Sequence, residues 1–133
     1  MKNLIFIVLF MMTQFIKAQT PQFIPSLMPP AQFENIYSQK IGNDSLTSSF
    51  VIWVKNEVKL HKHVTHSENL YILEGTCVFR LGDATFDLKG GDYIFIPKNT
   101  AHSLKVTSIL PLKVMSFQSP MFDGTDRVKI DEK

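Results

Sequence analysis

A chain of 133 residues with 14 basic and 12 acidic side chains has the length of one domain. Its formal charge of +2 arises ahead of that domain, because residues 1–18 hold two basic side chains, Lys2 and Lys17, and no acidic ones, leaving twelve of each sign beyond them. No Lys/Arg stripe survives, which argues against a nucleic-acid surface, and a single cysteine excludes an intrachain disulfide framework.

Lys2 and Asn3 precede an apolar stretch over residues 4–12, and Thr13, Gln14 and the small Ala18 follow it. A short basic start, an apolar centre and a small-residue exit describe a secretory signal over 1–18, cut between Ala18 and Gln19. The protein is therefore expected to be exported, periplasmic or secreted, with no membrane span after processing. The apolar stretch is short for a bilayer span, and no cysteine near the exit offers a site for lipid. Residues 19–49 read as an N-terminal arm and loop. Pro21, Pro25, Pro29 and Pro30 break any helix or central strand, so the arm is expected to lie over the surface, and 42–49 form a polar loop.

From Phe50 the apolar runs are short, rich in Val, Ile, Phe and Tyr, and closed by turn residues. Strands are expected over 50–55, 58–63, 69–74, 76–81, 84–88, 93–96, 102–107 and 112–118. Gly75 permits a bend, and Gly82-Asp83 fits a two-residue hairpin turn. No stretch keeps a 3.6-residue apolar period long enough for a helix of consequence. The fold class is all-β, a barrel or sandwich over 50–119, with 120–133 as a C-terminal tail. Cys77, between Thr76 and Val78, reads as a core thiol. Tyr93, Phe95, Phe86, Phe117 and Met115 read as core or dimer-contact residues, and Trp53 as core packing or an interface anchor.

Among these strands lie the residues that carry chemistry. His61 and His63 are two apart, so on an extended strand their side chains leave one face. Glu68 follows after room for a tight reversal, and His102 comes after a Pro-containing turn at the start of a later strand. Three imidazoles and a carboxylate suit one divalent first-row metal, Fe, Mn, Zn or Ni; a histidine on a β-surface is otherwise a solvated or hydrogen-bonded side chain. His66, within the reversal, is expected at the solvent side or behind the ligands, with its replacing Glu68 as a ligand the lesser alternative. Alternation places Leu70, Ile72, Leu104 and Val106 on the inner walls, which suits a small organic ligand. Arg80, Tyr71, Gln118 and Lys59 are polar candidates for the interior, with an exposed or rim position preferred for each.

The run His61-x-His63-x4-Glu68-x6-Gly75 resembles the first motif of the cupin superfamily, and Gly91-x5-Pro97-x4-His102 resembles the second. Asn99 stands where the second motif usually has Gly, and Val106 where it usually ends in Asn; Asn tolerates positive φ, so the turn before His102 is still expected. The resemblance implies a cupin-type double-sheet β-barrel, jelly-roll-like, with a metal near its centre held by His61, His63, Glu68 and His102. Two functions follow. One is a metal-dependent small-molecule enzyme resembling dioxygenases, isomerases or decarboxylases of this superfamily. The other is a non-catalytic module binding a small ligand or metal, favoured by the shortage of an evident general acid or base. A homodimer is expected, with the arm covering an edge strand.

Overall fold

The computed structural model describes residues 20–131. The signal segment expected over 1–18 lies outside the described residues. Among those described, the chain forms one 3-10 turn at Ile24–Ser26 and ten strands: β1 (Ile36–Asn43), β2 (Ser48–Val54), β3 (Glu57–His63), β4 (Ser67–Glu74), β5 (Thr76–Leu81), β6 (Ala84–Lys89), β7 (Tyr93–Ile96), β8 (His102–Val106), β9 (Leu112–Ser119) and β10 (Arg127–Lys129). They make two five-stranded antiparallel sheets, one ordered β1-β2-β9-β4-β7 and the other β10-β3-β8-β5-β6. No helix among the described residues is long and apolar enough to cross a membrane.

Alternation decides which side chains meet between the sheets. On β4, Glu68, Leu70 and Ile72 are buried while Tyr71 between them is exposed; on β5, Cys77 and Phe79 are buried; on β8, His102 and Leu104 are. Val54, Leu70, Ile72, Phe79, Ile96, Leu104, Leu112 and Val114 pack with Cys77 into one core. Each large member gains about 1.5–3 kcal/mol by leaving water. Burial raises the Cys77 thiol to about 11, with Asp87 and Asp92 adding to the effect, so it stays protonated and serves packing, as its apolar setting suggests.

Tight turns hold the register. Gly75 has φ +89°, and a Cβ there would meet Ser108 Oγ at 2.8 Å and Leu112 Cα at 3.1 Å. Gly82 turns the hairpin at φ 58°, with Leu81 opposite Ala84. Asn99 adopts φ 62°, the left-handed conformation that its place in the turn before His102 demands, so asparagine replaces glycine there without loss of the turn.

Strands also lie on both sides of the expected barrel. β1 occupies part of the expected arm and loop, pairs along β2 and forms the edge of its sheet, so only residues 44–47 remain as the connection. Its alternation of exposed and half-buried residues, with Gln39, Lys40 and Gly42 in it, gave no apolar signal. β10, three exposed residues in the expected tail, pairs with β3. The remaining arm does lie on the surface. The buried Lys113 ammonium donates to the carbonyls of Ile24 and Pro25, both at 3.2 Å, pairs with Glu74 at 3.3 Å and lies 5.6 Å from the centre of the Trp53 ring. Trp53 is buried, with Tyr37 of β1 against it at 5.7 Å between ring centres. Tyr93, Phe95 and Phe86 are exposed rather than core, and Met115 and Phe117 are half-buried.

Candidate metal centre

The two sheets bring different donor types toward one point. His61 and His63 come from β3, and His102 stands directly across from His61 on β8. Glu68 comes from β4 in the facing sheet. The ring centres of His61 and His102 are 4.2 Å apart, with His63 at 5.2 Å from the first and 5.5 Å from the second. One ligating atom from each of the three histidines lies within 4.8 Å of the others. Glu68 Oε2 is 3.6 Å from His63 Nε2 and 3.5 Å from His102 Nε2. Donors about 2.1 Å from one ion at tetrahedral or octahedral angles sit roughly 3.0–3.4 Å apart, so these spacings fit with little movement.

Backbone carbonyls set the orientation of each ring. His61 Nδ1 bonds Lys59 O at 2.8 Å, His63 Nδ1 bonds Asp126 O at 3.2 Å, and His102 Nδ1 bonds Thr100 O at 3.0 Å. A carbonyl only accepts, so each Nδ1 carries the proton and each Nε2 keeps its lone pair. The buried His102 Nε2 has no hydrogen-bond partner, a cost that a Lewis-acidic ion removes. Glu68 is divided in the same way. Its Oε1 accepts from Ser116 Oγ and from Gln118 Nε2, the latter at 3.1 Å, while Oε2 faces the imidazoles.

Electrostatics keep the donors in their ligating forms. Burial, reinforced by His102 and Arg127, lowers His61 to about 3. Burial also lowers His63, although Glu68 opposes it. For Glu68, burial alone favours the neutral acid, but the facing His102 ring, the hydrogen bond from Ser116 and the nearby His63 outweigh it and bring the carboxyl down to about 2. Neutral imidazoles and an ionised carboxylate are the species that bind a divalent ion.

His66 is buried rather than at the solvent side, and both of its ring nitrogens are taken by other partners. Its Nδ1 meets Asp126 Oδ2 and its Nε2 donates to Met121 O at 2.8 Å. Burial opposes charge on this ring, yet the Met121 carbonyl and the Asp126 carboxylate raise its pKa. Asp126 also accepts from the backbone N–H groups of Val64, Thr65 and His66 at 3.0–3.1 Å. That clasp draws the segment carrying Phe122 and Arg127 over the site. Asp126, Phe122 and Arg127 escaped the sequence reading because they lie in the expected tail, about sixty residues from their partners, with no apolar period to mark them.

A cavity of about 200 Å³ opens onto these four side chains, walled by Ile36, Phe50, Ile52, Val54, Val58, Leu70, Leu104 and Val114 among others. Leu70 and Leu104 line it as expected, while Ile72 belongs to the core beneath and Val106 packs against that core. Gln118 is buried at the site, contrary to the rim position preferred for it. The other three polar candidates stay out of the cavity. Tyr71 is exposed, Lys59 pairs with Glu57, and Arg80 Nε donates to Gly82 O at 2.9 Å.

The chain belongs to the cupin family, since the family model of the Cupin domain matches residues 49–117. An uncharacterized protein of Methanocaldococcus jannaschii, MJ1618, is 34% identical over 92 residues, covering 69% of this chain and 71% of the relative. Among solved structures, an RmlC-like cupin from Shewanella frigidimarina superposes with a TM-score of 0.66 at 20% identity, over 80% of this chain and 95% of that one. Pac13 from Streptomyces, described as a nucleoside dehydratase, superposes with a TM-score of 0.60 at 17% identity, over 70% of this chain and 84% of that one.

Proposed function

We propose that this chain is an exported, metal-dependent small-molecule enzyme, with His61, His63, Glu68 and His102 as the ligands of one divalent transition metal, Fe, Mn, Zn or Ni. The observation that carries the reading is the orientation of the donors. Three Nδ1–H groups are tied to backbone carbonyls so that three Nε2 lone pairs and Glu68 Oε2 face one point, where the buried His102 Nε2 lacks any partner. A bound ion supplies Lewis acidity or oxygen activation to a ligand oxygen beside it. The protein's own part is to exclude water with Leu70, Leu104 and Val114, to hold the carboxylate through Ser116 and Gln118, and to keep His61 and His63 neutral. By analogy only, Pac13, a neighbour of the same fold described as a nucleoside dehydratase, inclines the reading toward turnover.

Metal analysis of untagged protein tests the site, with most metal expected to be lost in His63→Ala. Equal metal content in that variant and the wild type refutes it. Anaerobic loading with Fe(II), Mn(II), Ni(II) or Zn(II), followed by a screen of catechols, diketones, sugars and small carboxylic acids, tests turnover. Tight binding with no metal-dependent product across those classes identifies a binding module instead. Export rests on the basic start, the apolar residues 4–12 and Ala18, and intact mass of protein from the secreting cell should give a chain starting at or near Gln19. A homodimer belongs to the same reading, supported by the exposed Tyr71, Tyr93 and Phe95 on one sheet face, and light scattering checks it.

A further inference from the structure

We propose that Arg127 makes this cavity selective for a compact monocarboxylate with an apolar body, holding the carboxylate on its guanidinium while the body lies among Phe50, Ile52, Leu104 and Phe122. The inference deepens the reading of the cavity as a ligand site and rests on it.

Arg127 opens β10 and stands directly opposite His63 on β3, so it shares the face from which that imidazole enters the barrel, and it lines the cavity. Nearby carboxylates are already committed. Glu68 Oε1 is held by Ser116 and Gln118 and its Oε2 faces His63 and His102, while Asp126 is filled by three backbone N–H groups and His66. Among the described residues the Arg127 guanidinium forms no ion pair. Arg127 is exposed at the cavity's edge, with Glu68 the carboxylate that acts on it, and a ligand carboxylate matches its planar fork with two parallel hydrogen bonds.

The Asp126 clasp fixes the backbone one residue before Arg127, so the cation is placed before any ligand arrives. The same segment sets Phe122 edge-on to Phe50 at 6.3 Å and to His63 at 5.8 Å, forming a flat apolar wall. Size restricts the body. An apolar cavity of about 150 Å³ accommodates benzene, so about 200 Å³ accommodates one ring or a short branched chain with its carboxylate.

Ligand-observed NMR titration of benzoate against benzamide tests the proposal on chelator-treated and on Zn(II)-loaded protein. Wild type is expected to bind benzoate at least tenfold tighter than benzamide in both forms, Arg127→Gln to lose that preference, and Arg127→Lys to keep part of it. Equal affinity for the two probes, or no saturable benzoate binding by wild type, overturns the proposal. So does a preference that appears only with Zn(II) and survives in Arg127→Gln, since the ion then receives the carboxylate. Zinc content measured on the same samples separates the two readings. Protein that takes no zinc yet keeps the Arg127-dependent preference refutes the metal site alone, whereas zinc-loaded protein without the preference refutes this inference alone.

Discussion

Acid should unfold the metal-stripped protein through the very histidines that prepare the site. In the folded chain, burial and the neighbouring His102 and Arg127 bring His61 from 6.5 down to about 3. The unfolded chain takes up that proton near pH 6.5, so the stabilisation from a neutral His61 is complete above pH 6.5 and is lost as pH falls toward 3. One pH unit between two such pKa values is worth about 1.4 kcal/mol, which makes the loss from this residue about 3 kcal/mol by pH 4. Glu68, held at about 2 against 4.5, contributes above pH 4.5 and loses its contribution as pH falls toward 2. His66 acts in the opposite sense, because its raised pKa stabilises below pH 6.5 and the gain disappears as pH rises through the folded value. Against a domain stability of about 5–15 kcal/mol, the His61 loss is a large share. Guanidinium unfolding of chelator-treated protein from pH 7 to pH 4 measures it. The slope in His61→Gln should be smaller by about 3 kcal/mol over that range. Parallel loss of stability in the variant and the wild type would refute the assignment of a buried, neutral His61.

Three further outcomes follow from single contacts. Glu68→Gln keeps the oxygen that accepts from Ser116 and Gln118 but turns an NH₂ donor toward the Nε2 atoms of His63 and His102, so metal affinity should fall about a hundredfold and the metal-dependent gain in stability by about 2.7 kcal/mol; thermal melts across a metal titration read both. Lys113→Met removes the donor to Ile24 O, Pro25 O and Glu74, so the arm over Trp53 should loosen at a cost of about 1.5–3 kcal/mol, seen as faster proteolysis before residue 36 and a lower melting temperature. Asn99→Ala should cost about 1–2 kcal/mol because alanine is strained at φ 62°, a region that asparagine tolerates better, whereas Asn99→Gly should be near neutral; equal loss in both variants would place the role of Asn99 in its side chain instead.

The eight strands from β2 to β9 were legible because each obeys one local rule. Alternation sends Glu68, Leu70 and Ile72 inward and Tyr71 outward, and Gly75 and Gly82 close the turns on either side of β5. The same rule brought His61 and His63 to one face of β3, which is why the four donors could be named without knowing how the sheets stack. β1 and β10 obey no such rule. Their residues are polar or exposed, and they become strands only because β2 and β3 offer unpaired backbone edges to them. A strand recruited by its neighbour's hydrogen bonds leaves little trace in its own side chains.

What surrounds the donors was hidden for a related reason. Ser116 and Gln118 reach Glu68 because Glu68 stands opposite Gln118 in the β4–β9 ladder, a register visible only once the strands pair. Asp126 joins the site through the backbone of Val64, Thr65 and His66, and backbone donors carry no residue identity to search for. The division has a physical origin. Ligand donors must come from particular side chains at particular spacings, so they are written into motifs. Their orientation relies mainly on carbonyls of Lys59, Thr100 and Asp126, which any residue at those positions supplies. The motif therefore reports what the centre is made of. The C-terminal segment, through Phe122 and Arg127, completes the wall of the cavity beside that centre, where no motif marks it.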